Sequence, residues 1–141
     1  MGLSWSGINI IRERLDAKIA AMEGRFREAV DGVKDGIKIR TQAGFDPEFN
    51  LFRDYSKSWA KKRRAAGKGI DRVDLTFSGA MFKSLSVRFE KQTYLLSATI
   101  YFSSPEQAQK AKYNHVDHRR PFFSLSASQK RSLVNQVRSA E

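Results

Sequence analysis

The fold is decided by one stretch near the amino terminus, residues 6–38, which reads SGINIIRERLDAKIAAMEGRFREAVDGVKDGIK. Its apolar residues recur at steps of three or four, which is the spacing of an amphipathic α-helix with one apolar face. These residues are Ile8, Ile11, Leu15, Ile19, Met22, Phe26, Val30, Val33 and Ile37. The pattern predicts one continuous helix over about residues 6–38.

This helix is long for a chain of 141 residues. At 1.5 Å per residue it measures roughly 45 Å, whereas a globular chain of this size has a radius of gyration of roughly 14 Å. We therefore expect part of the helix to meet a neighbouring subunit. Gly24, Gly32 and Gly36 each cost about 1 kcal/mol relative to alanine in a helix interior, and they favour a bend or an early end in the second half.

The connection that follows, residues 42–75, is rich in aromatic and basic residues. At residues 46–48 an aspartate, a proline and a glutamate stand in the order of a helix cap, a first helical position and an acidic first turn. They predict a short helical turn that carries Phe49 and Phe52.

Two runs in the last part of the chain, residues 76–141, alternate between apolar and polar side chains. They cover residues 85–89 and 96–102, and such alternation is typical of strands with one buried face. We expect the runs to pair as an antiparallel hairpin on which the long helix packs.

The sequence predicts two further helices in this part of the chain. A short one follows residues 104–106, and the last is capped by Ser126, with Gln129 in the capping-box position. Because the helices and the antiparallel sheet occupy separate stretches, the predicted class is α+β, with residues 1–141 in a single domain.

The composition limits the possible functions. The chain has 40% hydrophobic and 11% aromatic residues, enough for a folded core, and no cysteine, which excludes disulfides, thiol nucleophiles and cysteine zinc sites. Lysine and arginine number 26 against 15 acidic residues, a net charge of +11, which attracts polyanions or acidic protein surfaces. The short apolar runs and the lack of an early basic cluster predict neither a membrane-spanning helix nor a signal peptide.

One run of cations contains no acidic residue, and it begins in a predicted helix over about residues 57–66 that Ser56 caps. The run consists of Lys57, Lys61, Lys62, Arg63, Arg64 and Lys68. Lys61, Arg64 and Lys68 would share one face of a helix at these spacings. The run predicts contact with DNA phosphates or with an acidic partner, and the alternative is a solvated helix face.

A second set of residues predicts contacts between subunits or with partner proteins. In one loop two arginines adjoin two phenylalanines, a combination favoured at protein interfaces, although a packed corner within the chain is the alternative. The loop residues are Arg119, Arg120, Phe122 and Phe123, and the candidates on the long helix are Arg25, Arg27, Lys34 and Lys38.

The sequence offers little support for a metal site. The residues closest to a ligand pattern are His115, Asp117 and His118. A functional site needs three or four ligands with supporting partners, so we interpret the histidines as solvated or interface residues.

A nuclease-like group of carboxylates is also conceivable, with Asp71 and Asp74 joined by Glu90 or Glu106. Nothing in their spacing demands a metal, and a charged turn is the simpler interpretation. The sequence also lacks phosphate-binding glycine motifs and a nucleophile elbow. We therefore expect no catalytic residue, no cofactor and no metal, and hence no enzyme.

Three stretches together resemble a known family. Residues 54–62 read DYSKSWAKK, residues 73–85 read VDLTFSGAMFKSL and residues 119–126 read RRPFFSLS. They are similar to stretches of the virion morphogenesis proteins of tailed bacteriophages, and more narrowly of the tail-completion or neck proteins of the head-to-tail connector. That family has the order Tyr-Ser-x-x-Tyr/Trp-Ala-x-x-Lys, Leu-Thr-x-Thr/Ser-Gly-x-Met and Arg-Pro-Phe-Phe-x-Leu-Ser. Ser124 stands where the family often has glycine.

The resemblance implies a non-enzymatic subunit of the virion neck or tail, assembled in the cytoplasm of the bacterial host. It implies a homo-oligomeric ring, a hexamer or a dodecamer, between the portal-side connector and the tail tube. Its partners would be other connector proteins, the tail terminator or tail tube proteins, and the phage DNA that passes through the channel. The residues alone leave two alternatives, a non-specific DNA-binding accessory protein and a small metal-dependent nuclease.

Overall fold

The computed structural model describes the backbone of residues 5–76, 78–93 and 95–138, and the side chains of those residues from Glu13 onward. In chain order the elements are α1 (Trp5–Gln42), α2 (Lys57–Ala65), α3 (Ala80–Lys83), β1 (Leu85–Gln92), β2 (Leu95–Phe102), α4 (Pro105–Lys112), a π-helical turn (Tyr113–Asp117) and α5 (Ala127–Arg138). The class is α+β, with a long amino-terminal helix, a small antiparallel sheet and a carboxy-terminal helix, which confirms the prediction.

Helix α1 continues four residues beyond its predicted end, and the three glycines do not interrupt it. Val30, Val33 and Ile37 are buried, so packing of the apolar face outweighs the unfavourable helix propensity of glycine. The helix ends in a Schellman motif around Gly44, whose φ of 94° suits glycine. The Phe45 amide donates to the Arg40 carbonyl (3.1 Å), and the Gly44 amide donates to the Thr41 carbonyl (3.0 Å).

The predicted hairpin is confirmed, with longer strands than the sequence indicates. β1 and β2 pair antiparallel from Leu85 opposite Phe102 to Gln92 opposite Leu95. This register places the alternating apolar residues of both strands on one face. A two-stranded sheet is marginally stable by itself, so this face needs a cover.

Helix α1 supplies part of that cover, as predicted. The Phe26 ring meets the Phe89 ring edge-on at 6.2 Å between centroids. The Arg27 guanidinium lies 4.5 Å from the centroid of the same Phe89 ring, and the Glu23 carboxylate pairs with the Lys91 ammonium at 2.6 Å. These contacts fix α1 along the hairpin from Glu23 onward.

The main core lies between the sheet, α3, α4 and the connection. It is formed by Phe52, Val73, Met81, Phe82, Leu85, Ala111 and Phe122. Phe122 is fully buried, and its ring packs edge-on against the rings of Phe82 and Phe102. The carboxy-terminal part of the chain therefore returns to the centre of the domain.

Residues 46–50 do not form the predicted helical turn. The Asp46 carboxylate accepts the amides of Glu48 (2.8 Å) and Asn50 (2.9 Å), which closes a tight loop, and Phe45 bridges to Leu51 as in a hairpin. Phe49 has a φ of 62° and is exposed, whereas Phe52 is buried. The prediction was wrong because the aspartate binds its own loop, a local alternative to a helix cap.

The predicted caps of α2 and α5 are confirmed, and the structure adds a serine cap at α4. The Ser56 hydroxyl accepts the Trp59 amide at 3.3 Å, and the Ser104 hydroxyl accepts the Gln107 amide at 3.4 Å. At α5 the capping box is complete, since Ser126 accepts the Gln129 amide (3.1 Å) and the Gln129 side chain accepts the Ser126 amide (2.9 Å). Helix α2 ends at Ala65, one residue before the predicted end.

Helix α5 packs against the second half of α1, and one side chain joins the two helices. The Gln129 side-chain oxygen accepts a hydrogen bond from Arg40 at 2.7 Å. The Arg40 guanidinium also donates to the carbonyls of Phe122 (2.8 Å) and Ser124 (2.9 Å). Gly36 leaves room for Gln129, because a Cβ there would lie 2.8 Å from its side-chain nitrogen.

Candidate functional site

The three stretches that carry the family resemblance converge in space around one tyrosine. Tyr55 comes from the first stretch, Asp74 from the second and Arg120 from the third. The Tyr55 hydroxyl donates to the Asp74 carboxylate at 3.1 Å. The guanidiniums of Arg63 and Arg120 lie 4.6 and 5.2 Å from the Tyr55 ring centroid. We call these four residues the Tyr55 junction; Phe77 of the second stretch lies outside the described residues.

Arg63 is part of this junction and is not available for DNA or an acidic partner, so that prediction was wrong. Its side chain is only 2% exposed. It donates to the carbonyls of Gly69 and Thr76 and pairs with the Asp74 carboxylate at 3.1 Å. Consecutive cations in a short helix occupy both its buried face and its exposed face, and the sequence run alone does not indicate which cation is buried.

Arg120 and Phe122 were also wrongly predicted as interface residues. Arg120 is 5% exposed, and it donates to the carbonyls of Arg53 (3.0 Å) and Asp54 (2.9 Å). Phe123 is half-buried, with its ring centroid 5.1 Å from that of Phe102. Of this loop set, only Arg119 is exposed. The packed corner, the alternative interpretation, is the arrangement found.

Burial shifts the pKa values of Tyr55 and Arg120 in the junction. Desolvation is the main cause that raises the pKa of Tyr55, and the neighbouring Asp74 carboxylate raises it further. Desolvation lowers the pKa of Arg120, and likewise that of Arg40. Arginine is still protonated at neutral pH, so the guanidiniums hold the backbone carbonyls as cations. The junction joins distant parts of the chain, which is a structural role.

A cavity of about 700 Å³ opens beside the junction, between α2, α3 and α4. Its walls include Trp59, Met81, Tyr113 and the ion pair of Glu106 with Lys110 (2.8 Å), which lowers the pKa of the Glu106 carboxyl. The size suits a small ligand or a protein side chain. The described residues of its lining contribute aromatic, hydroxyl and amide groups and three cations, Arg63, Lys110 and Arg120, and Glu106 is the one acid among them.

The structure places the residues of the two metal hypotheses in other contacts. The His115 Nδ1 accepts the Phe123 amide at 3.3 Å, and the His118 ring packs edge-on against Tyr113. Asp74 pairs with Arg63, and Glu90 pairs with Arg88 at 3.1 Å. Within the described residues, no group of three histidines or acids is arranged to hold a metal ion.

The remaining cations of the run are exposed. They are Lys57, Lys61, Lys62, Arg64 and Lys68, which we call the α2 cation surface. Lys68 lies beyond the end of α2, so it does not share a helix face with Lys61 and Arg64 as the spacing predicted. The Lys62 ammonium lies 5.0 Å from the Trp59 ring centroid. This surface can meet phosphates or carboxylates without any rearrangement of the fold.

The interface candidates on α1 have mixed surroundings. Arg27 packs on Phe89, and Lys34 lies 3.9 Å from Asp31, whereas Lys38 is exposed. Arg25 is half-buried, and its Nη1 atom has no hydrogen-bond partner among the described residues.

Exposed apolar side chains also lie earlier on α1. Every residue from 13 to 22 is exposed, and we call this segment the arm. Leu15, Ile19 and Met22, the stripe, are about half exposed, with Ile19 at 51%. Sequence reasoning located the helix candidates between residues 25 and 38 and missed the stripe. Because the apolar period is the same along the whole helix, it does not indicate where α1 leaves the core of the domain. The side chains of Ile8 and Ile11 lie outside the described part.

Comparisons with protein-family descriptions, with curated proteins and with solved structures found no match to this chain. None of the helices that the structure describes combines the length and the apolar character needed to span a membrane.

Proposed function

We propose that this chain is a structural subunit of a tailed-phage virion, a tail-completion or head-to-tail connector protein. Copies form a ring around the DNA channel and join the neck to the tail. The proposal starts from the resemblance of residues 54–62, 73–85 and 119–126 to that family. The observation that carries it furthest is the exposed stripe of the arm.

The arm supports a subunit role because one of its faces exposes apolar side chains to water. Leu15, Ile19 and Met22 line one face of a helical segment whose residues are all exposed. Contiguous apolar patches of this kind mark contacts with other protein chains. A closed ring needs two different patches on each copy that fit one another, and a projecting helix can present two.

The charge of the chain supports a position near DNA or near acidic ring proteins. The net charge is +11, and the five residues of the α2 cation surface are exposed. Among the described residues, none of the five takes part in an ion pair. Facing a channel, they would screen the phosphates of passing DNA, and facing a neighbour they would pair with its carboxylates.

Electron microscopy of the purified chain, followed by incubation with tails or connectors that lack it, tests this function. We expect rings with a central opening and their attachment to the particles. A chain that stays monomeric at micromolar concentration and does not join the particles contradicts the proposal.

A second candidate is a free DNA-binding accessory protein, which the α2 cation surface favours. If the five cations each contact a phosphate, the logarithm of the binding constant falls with the logarithm of salt concentration with a slope of about −4 to −5. Charge reversal of Lys61 and Arg64 together should then reduce the slope by about 2, whereas reversal of Lys38, a single exposed cation on α1 outside this surface, should leave the slope unchanged. The accessory role predicts this behaviour in the isolated monomer. The ring role is compatible with little binding until the ring forms.

A further inference from the structure

We propose that the cavity beside the Tyr55 junction binds an acidic segment of a partner protein. A carboxylate of that segment pairs with Arg120, and an adjoining aromatic side chain packs on Trp59 and Tyr113. The inference rests on the proposed function for one point, that the partner is another virion protein. The chemistry of the ligand follows from the charges and the lining of the cavity.

The first observation is that Arg120 keeps one nitrogen without an acceptor. Its Nε and Nη2 atoms donate to the carbonyls of Arg53 and Asp54, whereas Nη1 makes no hydrogen bond to any described residue. The side chain is 5% exposed and lines the cavity, and Nη1 is not one of the polar atoms that the fold seals off. We therefore place Nη1 at the cavity wall, where it offers two N–H donors.

The second observation is that Arg120 also lacks a counter-ion. The other two cations of the wall, Arg63 and Lys110, each pair with a carboxylate of the chain, at 3.1 and 2.8 Å. Within the part of the chain that the structure describes, Arg120 takes part in no ion pair, and the Asp54 carboxylate acts on it only from beyond ion-pair distance. A buried charge without a counter-ion is unfavourable. An anion in the cavity would neutralise it.

The depth of the site favours a carboxylate on a flexible segment over a phosphate of duplex DNA. Because Arg120 is almost fully buried, an anion has to enter the cavity to reach it. The phosphates of a duplex lie on a stiff rod that does not fit into such a cavity, whereas a side chain on a loop or a chain end can enter. A carboxylate can also accept two parallel hydrogen bonds from one guanidinium.

The remaining lining fits a large apolar or aromatic neighbour of that carboxylate. Trp59 is half-buried, Met81 is buried and Tyr113 is exposed, and all three belong to the wall. The volume of about 700 Å³ is typical of ligand pockets, which measure about 300–1,000 Å³.

The surface around the cavity adds positive charge. The Lys62 ammonium of the α2 cation surface lies 5.0 Å from the centroid of the Trp59 ring, which itself lines the cavity. A segment with more than one acid would therefore meet cations outside the cavity as well as Arg120 within it. Charge complementarity of this kind selects an acidic partner and speeds its association.

Matched peptides test the chemistry of the ligand by isothermal titration calorimetry. The probe is acetyl-Gly-Glu-Phe-Glu-Gly-amide, and the two controls replace both Glu by Gln, or Phe by Ala. We expect the probe to bind at least about tenfold more tightly than either control, because a charge-assisted hydrogen bond and a buried ring each contribute that much. Equal binding of the acidic peptide and its amide control overturns the inference.

Two tryptophan variants locate the peptide. Gln109→Trp adds bulk at an exposed position of the cavity wall, and Gln92→Trp adds the same side chain at the exposed end of β1, outside the cavity. We expect Gln109→Trp to weaken binding of the acidic peptide by about tenfold or more, and Gln92→Trp to change it by less than about twofold. Both positions are exposed, so unfolding midpoints should be unchanged. Unchanged binding in Gln109→Trp overturns the inference.

Arg120→Lys tests the guanidinium itself. The substitution keeps the positive charge and removes the paired N–H groups, so the acidic peptide should bind at least about tenfold more weakly. Binding of the amide control should stay the same, which a merely structural role of Arg120 does not predict. If Arg120→Lys does not fold, the peptide pair and Gln109→Trp still decide the inference.

Other ligands give different results. If charge reversal of Lys61 and Arg64 abolishes binding of the acidic peptide and Gln109→Trp does not, the peptide binds the α2 cation surface, and the inference is wrong. If phenylacetate binds and the acidic peptide does not, the ligand is a small carboxylate and not a protein. If DNA binds with an affinity that Gln109→Trp lowers, and the acidic peptide does not bind, the anion is a phosphate. Both of these results also overturn the inference.

The outcomes separate the cavity from the function. Particles that lack the chain should be completed by the natural protein and by Gln92→Trp, but not by Gln109→Trp. If Gln109→Trp joins tails as well as the natural chain does, the docking role is wrong and the proposed function stands. If the natural chain binds the acidic peptide in its cavity but forms no ring and joins no particle, the site is confirmed and the proposed function is contradicted.

Discussion

The two halves of α1 have the same apolar period and opposite surroundings. In the second half Val30, Val33 and Ile37 are buried where α1 contacts the sheet and α5, and in the arm Leu15 and Ile19 face solvent. The spacing of apolar residues determines which side of the helix is apolar. The extent of the folded domain along the helix determines how much of that side is buried in the core. The apolar side chains of the arm are the part of that side left in solvent.

The same contrast recurs within several residue types. In four pairs of identical residues, the first member is packed and the second is exposed to solvent. The pairs are Ile37 with Ile19, Arg63 with Arg64, Gly36 with Gly24, and Tyr55 with Tyr113. Identical substitutions in each pair keep the chemistry constant and change only the surroundings. The difference within a pair therefore measures how much the surroundings of a position contribute to stability or binding.

The largest difference is expected for the two isoleucines. Ile37→Ala should lower the free energy of unfolding by about 2–5 kcal/mol, because Ile37 is 2% exposed and its removal leaves a cavity. Ile19→Ala should change it by less than about 0.5 kcal/mol in the monomer. Urea unfolding at a concentration below assembly measures both. Equal losses at the two positions would mean that the arm is part of the domain core.

The arginine pair should give the next largest difference. Arg63→Ala removes the donor for two backbone carbonyls and for Asp74, and buried groups left unpaired cost about 1–3 kcal/mol. Arg64→Ala on the exposed face should change the unfolding free energy by less than about 0.5 kcal/mol. For DNA affinity we expect the opposite order. Arg64→Ala should weaken binding more than Arg63→Ala, because only Arg64 of the two is exposed to phosphates. Loss of DNA affinity in a folded Arg63 variant contradicts this assignment.

The glycine pair separates close packing from helix propensity. Gly36→Ala places a Cβ 2.8 Å from the side-chain nitrogen of Gln129, whose oxygen is held by hydrogen bonds from Arg40 and Ser126. Because overpacking costs about 1–3 kcal/mol and the gain in helix propensity is about 1 kcal/mol, we expect a net loss of up to about 2 kcal/mol. Gly24→Ala has no atom within 4 Å of the new Cβ and should stabilise the chain by up to about 1 kcal/mol. Thermal unfolding of the two variants checks the opposite signs. Stabilisation by both would mean that Gln129 moves aside without cost.

The smallest effect is confined to alkaline pH. Because the pKa of Tyr55 is raised in the folded chain, this residue contributes stability that is complete below its unfolded pKa of about 10. That contribution is lost as pH rises from about 10 through the folded pKa. Unfolding midpoints across this range should fall less steeply in Tyr55→Phe than in the natural chain. Tyr113→Phe, at an exposed tyrosine, should retain the natural slope, and equal slopes in all three contradict the role of Tyr55.

Much of the fold could be predicted from local chemistry. The apolar period of α1, the alternation in the hairpin and the serine caps of α2 and α5 are local signals, and the structure confirms each of them. The loop at Asp46 was missed because an aspartate before a proline serves equally as a helix cap or as the acceptor in a tight loop. Gly44 marks the end of α1 and was a readable signal, since glycine commonly follows a helix.

The site was harder to predict because burial is decided by distant parts of the chain. Arg63 and Arg120 are buried because distant parts of the chain cover them. The stretch around Asp74 binds Arg63, and the stretch around Asp54 binds Arg120. Phe122 looked like an interface anchor, yet the same aromatic character suits the centre of a core. The arm was anticipated only as an excess of helix length, since nothing in its own residues distinguishes it from the packed half.

The most direct test of the central claim is the native mass of the chain at micromolar concentration, compared with that of Ile19→Asp. We expect the natural chain to form a closed assembly whose mass is an integer multiple of 16.1 kDa. The variant should be a folded monomer, because the charge falls on the exposed stripe and not in the core. A natural chain that stays monomeric, or a variant that assembles to the same mass, would contradict the account.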